Sequence, residues 1–301
     1  MRIFSGIQPT GAKHLGNYSG GFRQYLATEE EGEAFFCIVD LHSISVEHDP
    51  QELRRSTLDL AAMLFANGLD PERSTIFVQS HVTAHAEANW LLSSVTSYGQ
   101  LGRMTQFKDK SERREFVSAA LFTYPVLMAG DILLYQTDVV PVGDDQRQHI
   151  ELARDIAERF NQRYGETFRM PAGRFPTIGA RIMDLQEPER KMSTTDGTPQ
   201  GTVLIADPAD TIRKKVKSAV TDSGTDVRHD PAGKPGISNL IEIMSVVSGE
   251  SLTAIQERYQ ELRADDAELR RLLGIGADKA REASAPALAA MYERMGFVSP
   301  A

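Results

Sequence analysis

Short apolar runs recur along the first 185 residues and predict β-strands. The run AFFCIVDL is continuously apolar, as expected of a strand buried on both faces of a sheet. The run DVVPVGDD ends in a turn that leads into a helical pattern. The predicted strands span residues 2–7, 34–41, 74–80, 138–145 and 179–185.

Between these runs, apolar positions recur at helical spacing. Helices are predicted from Asn17 onward, over residues 50–68, after residue 80 through Trp90, and over residues 146–165. Strand–helix alternation implies an α/β fold with a Rossmann-like, doubly wound parallel sheet and right-handed crossovers. Ligands of such sheets bind beyond the carboxyl ends of the strands. We therefore expect the loops that leave these strand ends to converge on one crevice.

The pattern changes near residue 205. After that point, the apolar residues of every long segment recur at helical spacing. This change predicts a C-terminal all-helical domain. We expect residues 1–186 to form a Rossmann-like domain, and residues 187–301 to carry a polar loop followed by the helical domain.

Composition narrows the class of protein. The chain has 301 residues, 41% hydrophobic and 25% charged, as in ordinary globular proteins. Cys37 is the single cysteine, so no disulfide can form within the chain. No run approaches the ~18 apolar residues of a membrane span, and we expect a cytoplasmic protein without a membrane partner. The net charge of −9 argues against a protein whose surface is positively charged for non-specific binding of nucleic acid. The basic cluster at residues 211–220 is better interpreted as a solvated helix face.

The loop GIQPTGAKHLGN, residues 6–17, follows the first strand. Its Gly6 and Gly11 have P-loop spacing, but Ala12 stands where that motif needs lysine. We expect Asn17 to cap the next helix, whose first amides would receive anionic oxygens, while His14 donates to a phosphate. A capped turn with an incidental surface histidine is an equally good interpretation of His14 alone.

The polar segment RKMSTTDGTPQG, residues 190–201, places Lys191 beside several hydroxyls. A lysine on a mobile loop can close over a triphosphate and stabilise the charge of a leaving pyrophosphate. Taken alone, however, this segment is better interpreted as an exposed linker.

Together, the turn His14-Leu15-Gly16-Asn17 and the K-M-S loop resemble the HIGH and KMSKS signatures of class I aminoacyl-tRNA synthetases. The stretches FSGIQPTG, RMTQFKDKS, YPVLMAGDILLY and VPVGDDQRQHIELARDIAERFN are similar to those of the bacterial tryptophanyl-tRNA synthetase family. The resemblance runs from residue 2 to about 250 and resumes near the C-terminus.

This resemblance implies activation of L-tryptophan by ATP with Mg²⁺, then transfer of tryptophan to tRNA-Trp by a homodimer. No protein nucleophile is needed, because positioning and charge stabilisation suffice. The resemblance assigns catalytic roles to Lys191, Lys110, His14 and Asn17. It assigns ATP binding to Gln8, Pro9, Thr10, Gly16, Asn17, Gly143, Asp144, Asp145, Ile182, Lys191, Met192, Ser193, Thr194 and Thr195.

The same resemblance assigns tryptophan binding to Asp131, Phe4, Gly6, His42, Tyr124, Met128, Val142 and Gln146. Asp131 would accept the indole N–H. Because that group is only a donor, a buried acceptor suits it, whereas a ring without the donor would leave the acceptor unpaired.

The chain departs from the family pattern at two places. Thr194 stands where the family has its second KMSKS lysine, so a positive charge near the pyrophosphate is missing. The family also has about another helix of residues near 255–265, in the tRNA-binding region. We expect activity to persist without the second lysine. The resemblance places the catalytic site for ATP and tryptophan in residues 1–186, and tRNA and anticodon binding in the helical domain of residues 187–301.

Three alternatives remain open from the sequence. A tyrosyl-tRNA synthetase shares the fold and chemistry, and another nucleotidyltransferase can carry a turn like HIGH. A catalytically weak paralogue would serve as a binding or regulatory module, as Thr194 and the short C-terminal region suggest.

Overall fold

The structure is a computed structural model that describes residues 1–111, 116–143, 146–175, 182–194, 197–224, 227–247 and 261–297. Within helices, the side chains of Gly20, Arg23, Gln24, Asp109, Lys110, Ser111 and Ser245 are not described.

Five parallel strands form the sheet, which confirms the predicted α/β fold class. Their spatial order is β3-β2-β1-β4-β5, so the chain runs outward from β1 in both directions. A crevice therefore opens where β1 and β4 end side by side, at the topological switch point. The strands are β1 (Arg2–Ile7), β2 (Glu33–Ile38), β3 (Thr75–Val78), β4 (Val139–Pro141) and β5 (Ala172–Arg174).

Helices fill the crossovers and make up the regular structure described after residue 174. A π-helical turn, Tyr18–Phe22, joins α1 to α2, and a 3₁₀ turn, Gln79–His81, follows β3. The helices are α1 (Leu15–Asn17), α2 (Arg23–Glu29), α3 (Asp40–Ser43), α4 (Pro50–Ala66), α5 (Ala84–Ser93), α6 (Tyr98–Gly102), α7 (Thr105–Ser111), α8 (Ala119–Leu133), α9 (Arg147–Tyr164), α10 (Ala209–Lys217), α11 (Pro235–Val247) and α12 (Asp266–Arg294).

One strand prediction is wrong in its described part. Residues 182–185 lie beside the sheet rather than in it, where Met183 forms an isolated antiparallel bridge with Lys191. Ile182 and Leu185 are buried, so their apolar pattern reflects packing and not strand pairing. Residues 179–181 lie outside the described part of the chain.

The sheet separates two apolar clusters, as the alternation of side chains along β2 requires. Phe35 and Cys37 belong to one cluster, with residues of α5, α8 and α9. Phe36 and Ile38 belong to the other, with α4 and the segment that follows residue 182. The predicted burial of β2 on both faces is thus confirmed.

The long helix α12 packs against β3 at the edge of the sheet. A Cβ placed on Gly276 would lie 1.7 Å from the Ile76 carbonyl oxygen, so only glycine permits this approach. Leu273 on one side of this crossing joins the second cluster, whereas Ala280 joins the first. The boundary predicted at residues 186/187 stays a prediction.

The basic cluster of α10 is only partly a solvated face. Arg213, Lys214 and Lys217 are exposed, as expected, but Lys215 is buried. Its ammonium donates to the Asp207 carboxylate and the Thr202 carbonyl oxygen, each at 2.7 Å. Within the described residues, no helix has both the length and the apolar character needed to cross a membrane.

Candidate active site

A cavity of about 470 Å³ lies at the carboxyl ends of β1 and β4. It collects side chains from elements that are distant in sequence, because parallel strands end at one edge of the sheet. Gly6 brings the backbone of β1 close to Val39, whose Cγ1 would lie 3.2 Å from an added Cβ. Every residue predicted to bind tryptophan lines this cavity: Phe4, Gly6, His42, Tyr124, Met128, Asp131, Val142 and Gln146.

Asp131 is 2% exposed and accepts three side-chain hydrogen bonds. Its Oδ2 accepts from His42 Nε2 at 2.8 Å, and its Oδ1 accepts from Gln79 Nε2 and His85 Nδ1, each at 2.6 Å. Burial alone would raise the pKa of this carboxyl, but the hydrogen bonds from His42 and His85 outweigh it and hold the pKa well below its ordinary value. Asp131 is therefore an ionised acceptor at the wall of the cavity.

Tyr124 forms a second polar position in the cavity. Its hydroxyl lies 2.9 Å from His149 Nε2 and 3.3 Å from the Gln106 Oε1 acceptor. Burial raises the pKa of Tyr124 to about 12, so the hydroxyl stays protonated at neutral pH.

The turn after the first loop is capped by His14 rather than by Asn17, so that prediction was wrong. The Gly16 amide donates to His14 Nδ1 at 3.1 Å, and the His14 amide donates to Asn17 Oδ1 at 2.9 Å. The two side chains thus form a capping box, with Asn17 at its third helical position. Asn17 still lies in the turn, and it is exposed.

The prediction that first-turn amides receive anionic oxygens was also wrong. The Leu15 amide donates to the Val203 carbonyl at 2.9 Å, and the Asn17 amide donates to the His14 carbonyl at 2.8 Å. The Gly16 amide is held by the His14 ring. Any anion at this turn must therefore be bound by side chains.

The cap fixes the tautomer of His14. Burial, helped by the nearby charges of Lys191 and Lys13, lowers the pKa of His14 to about 4, so the ring is neutral at pH 7. Because Nδ1 accepts the Gly16 amide proton, the ring proton lies on Nε2. His14 can thus donate one hydrogen bond from Nε2.

The two signature segments meet, as the predicted function requires. Lys191 lies close enough to His14 for its charge to lower the histidine's pKa, and Ile182 Cβ would lie 3.8 Å from a Cβ on Gly16. Val203 and Ile205, which follow the K-M-S loop, are hydrogen-bonded to Leu15 and Lys13. The exposed Lys191 ammonium and the neutral His14 ring therefore border one region.

Within the K-M-S loop, Met192 is 1% exposed and packs into the second apolar cluster. Its burial anchors the loop. Because the side chain is buried, Met192 would contact a nucleotide only through its backbone atoms. Thr194 Oγ1 lies 3.5 Å from the position of a Cβ on Gly11, so the residue that replaces the family lysine faces the first loop.

The first loop is braced from within by Lys13. Its ammonium donates to the carbonyl oxygens of Gln8 and Thr10 at 3.0 and 2.9 Å, and burial lowers its pKa to about 8. Gln8 also lines the cavity, as does Gly143 after β4. Pro9 is buried beside them, whereas Ser193 is half-buried in the K-M-S loop.

Other predicted residues cannot be placed. Asp144, Asp145 and Thr195 lie outside the described residues, as does the side chain of Lys110 on α7. The roles assigned to individual ATP- and tryptophan-binding residues stay predictions.

Two of the three buried partners of Asp131, Gln79 and His85, were not predicted. Gln79 follows the buried strand β3 directly, and a polar residue at a strand's carboxyl end was a usable signal. His85 carries no such signal, because a histidine among the alanines of α5 is compatible with either a surface or a core position.

A family model described as "tRNA synthetases class I (W and Y)" matches residues 1–283. A tryptophan–tRNA ligase of Leifsonia xyli subsp. xyli is 49% identical, with 99% of this chain and 98% of that protein covered. A tryptophan–tRNA ligase of Caldanaerobacter subterraneus subsp. tengcongensis is 46% identical, with the same coverage.

The alignments to these relatives span 329 and 324 positions, more than the 301 residues of this chain. The relatives therefore carry residues without a counterpart here.

A solved structure gives the same result. Tryptophanyl-tRNA synthetase from Campylobacter jejuni, complexed with ADP and tryptophan, is similar with a TM-score of 0.86 at 32% identity, covering 99% of this chain and 100% of that one. Tyrosyl-tRNA synthetases, such as that of Aeropyrum pernix at 19% identity, share the fold. The extent of the family match and the identity to these relatives mean that this chain belongs to the class I tRNA synthetases for tryptophan and tyrosine.

Proposed function

We propose that this protein is a tryptophan–tRNA ligase, which forms tryptophanyl-adenylate from L-tryptophan and ATP and then transfers tryptophan to tRNA-Trp. The observation that carries this proposal is a cavity with an ionised, buried Asp131 in its wall. Gln8 of the first loop lines that cavity, and the same loop leads to His14, which lies near Lys191. Four relatives that are 45–49% identical are tryptophan–tRNA ligases.

The cavity suits an indole ring. Phe4, Met128 and Val142 provide apolar surface, while Asp131 provides an acceptor for the ring N–H. A carboxylate oxygen has two acceptor positions, and Oδ2 of Asp131 has one described side-chain partner, His42. Its second position would accept the indole N–H. Phenylalanine would leave that acceptor unpaired, which favours tryptophan by a factor on the order of 10⁴.

Adenylate formation needs groups that stabilise negative charge near the bound tryptophan. The tryptophan carboxylate attacks the α-phosphorus of ATP and pyrophosphate leaves, so negative charge moves onto the leaving group. His14 Nε2–H, the side-chain NH₂ of Asn17 and the Lys191 ammonium would stabilise that charge from the side of the two signature segments. Gln8, Thr10 and Gly143 would hold the adenosine and its phosphates near the attacking carboxylate.

Mg²⁺ enters with ATP as part of that substrate, held by phosphate oxygens and water. The described residues contain no group of three or more histidine, cysteine or acidic side chains arranged for a metal ion.

The assembly and location of the protein are part of the same proposal. A homodimer is supported by apolar side chains that stand in solvent: Trp90, Tyr98 and Phe116 are 78%, 79% and 80% exposed. The helices after residue 187 would bind the tRNA, with the exposed Arg213, Lys214 and Lys217 of α10 available to phosphates. The enzyme would work in the cytoplasm, where translation uses its product.

Tryptophan-dependent exchange of pyrophosphate into ATP tests the proposal. We expect exchange with tryptophan and not with tyrosine or phenylalanine. Asp131→Asn should raise the KM for tryptophan by tenfold or more, because a charged acceptor is lost. Lys191→Ala should lower kcat by about 10². Arg163→Ala removes an exposed positive charge near the end of α9 that is remote from Gln146 and the cavity, and should change neither value.

The alternative functions give different results in this experiment. Exchange driven by tyrosine would identify a tyrosine enzyme. Absence of exchange with every amino acid, from protein that still binds tryptophan, would identify a binding paralogue.

A further inference from the structure

A fully buried chain of polar side chains runs behind the cavity. Tyr135, just after α8, places its hydroxyl 2.8 Å from His85 Nε2, and His85 Nδ1 lies 2.6 Å from Asp131 Oδ1. Tyr135 and His85 are each 0% exposed, and Asp131 is 2% exposed. Water cannot replace these hydrogen bonds, so each group depends on its neighbour.

The direction of each hydrogen bond follows from chemistry. The ionised Asp131 carboxylate can only accept, so His85 Nδ1 carries the proton between them. His85 Nε2 can then accept, and Tyr135 donates to it. Burial raises the pKa of the Tyr135 hydroxyl far above its ordinary value, which keeps that donor protonated. The chain therefore fixes one tautomer of His85.

The two oxygens of Asp131 face different surroundings. Oδ1 receives Gln79 and His85, which fill both of its acceptor positions. Oδ2 receives His42, and among the described residues His42 lines the cavity whereas Gln79 and His85 do not. Oδ1 is thus held by residues of the core, whereas Oδ2 faces the cavity.

We propose that His85 and Tyr135 are positioning residues for tryptophan selection. They hold Asp131 by Oδ1 in one orientation, so that Oδ2 offers a single acceptor position to a ring N–H. This inference rests on the proposed function, because it concerns the same cavity. It adds residues that contact no substrate but determine how strongly the site distinguishes a ring with an N–H from one without it.

The test compares two ligands in several variants of the full-length protein. One ligand is tryptophan, and the other is its sulfur isostere, benzothienylalanine, which lacks the N–H. Dissociation constants are measured by calorimetry for the wild type, His85→Leu, His85→Asn and Tyr135→Phe. The Asn amide nitrogen stands close to where His Nδ1 stands, so this variant keeps the donor to Asp131 without the link to Tyr135.

We expect the wild type to bind tryptophan more tightly than the isostere. His85→Leu should weaken tryptophan binding by about tenfold and isostere binding by less than about twofold, because only tryptophan uses the Asp131 acceptor. Tyr135→Phe should show the same selective loss to a smaller degree, and His85→Asn should restore most of it. In exchange assays the loss should fall on the KM for tryptophan rather than on kcat.

A matched control separates positioning from packing. Phe77 stacks near both rings, with centroids 5.8 Å from His85 and 5.7 Å from Tyr135, and makes no side-chain hydrogen bond. Phe77→Leu disturbs the same core and should weaken both ligands equally.

Equal weakening of both ligands in His85→Leu and Tyr135→Phe would overturn the inference, because a purely structural role acts on both. The ratio of the two constants is insensitive to partial unfolding, so a poorly folded variant still gives an answer. If the wild type catalyses exchange with tryptophan but the variants still prefer tryptophan over the isostere as strongly as the wild type does, only this inference is refuted. If the wild type catalyses exchange with no amino acid, the proposed function itself is refuted.

Discussion

His14 combines a structural and a chemical contribution in one ring. Nδ1 caps the turn by accepting the Gly16 amide, which forces the proton onto Nε2. The same burial that makes the cap effective keeps the ring neutral, with a pKa of about 4. A protonated ring would lose the cap, because Nδ1 would become a donor, whereas Nε2 donates in either form.

The first prediction concerns pH. The folded state holds the pKa of His14 at about 4, whereas the unfolded chain has the ordinary value of about 6.5. Above pH 6.5 both states are neutral. As pH falls from 6.5 toward 4, the unfolded state binds a proton that the folded state excludes, so stability decreases. After allowance for solvent screening, this contribution should be on the order of 1–2 kcal/mol.

Urea unfolding at pH 7.5 and pH 5.0 measures this effect against His14→Asn. Asparagine is a good cap that does not titrate in this range, so the variant should lose less stability at the lower pH. Identical pH dependence in the two proteins would show that His14 does not contribute.

The second prediction concerns Thr194, which faces the first loop near Gly11. Thr194→Lys should lower the KM for ATP or raise kcat in pyrophosphate exchange by a few fold, because an added positive charge stabilises the leaving pyrophosphate. Thr194→Met has similar length without charge and should resemble the wild type. Equal gains from lysine and methionine would attribute the effect to packing. A very large gain from lysine alone would mean that the natural loop is impaired.

At the scale of elements, the parallel sheet was predictable and some details were not. Apolar runs predict β1 to β4, since strands buried on both faces carry such residues. β5 was missed because Ala172-Gly173-Arg174 has no apolar pattern, and only its hydrogen bonds to β4 make it a strand. The false strand at 182–185 has apolar residues that pack from a loop instead. Periodicity reports burial, and it does not report which backbone is the hydrogen-bonding partner.

The site follows the same division. Its eight predicted tryptophan-binding residues lie on several elements, so no local pattern joins them, and the family resemblance supplied their identity. The cap at His14 was misassigned because Asn17 is the better capping residue by type. His85 was missed because its importance comes from Asp131 and Tyr135, which only the folded chain brings to it.

The third prediction tests the contact of α12 with β3. Gly276→Ala should destabilise the fold by about 1–3 kcal/mol, because its methyl group would overlap the Ile76 carbonyl oxygen. Gly274→Ala on the same helix has no atom within 4 Å of the added carbon. It should stabilise the helix by up to about 1 kcal/mol through propensity. Urea unfolding gives both values, and loss of stability in both variants would mean that α12 tolerates no alanine for reasons other than this contact.

At the scale of the whole molecule, exposed aromatic side chains are the feature that the monomer leaves unexplained. Trp90, Tyr98 and Phe116 each expose more than three quarters of their surface, on or beside the helices around the first apolar cluster. Such side chains are favoured where a second surface covers them. The homodimer proposed above would account for them without any other partner.

The fourth prediction follows from this surface. In sedimentation equilibrium the wild type should have twice the chain mass of 33.3 kDa. The double variant Tyr98→Lys/Phe116→Lys should sediment as a monomer, since a buried unpaired charge opposes association. Val227→Lys alters a side chain that is 75% exposed elsewhere in the chain and should leave the mass unchanged. A monomeric wild type, or a double variant that remains dimeric, would contradict this assignment.

The position of α12 has a consequence for synthesis of the protein on the ribosome. Residues 266–294 are translated after every strand of the sheet, yet they cover β3 and join both apolar clusters. The sheet can therefore assemble during elongation while its β3 edge is still bare. A nascent polypeptide that stalls before residue 266 would present that edge and its apolar neighbours to other chains, which favours aggregation. The helix α12 thus covers a strand, β3, that is translated long before it.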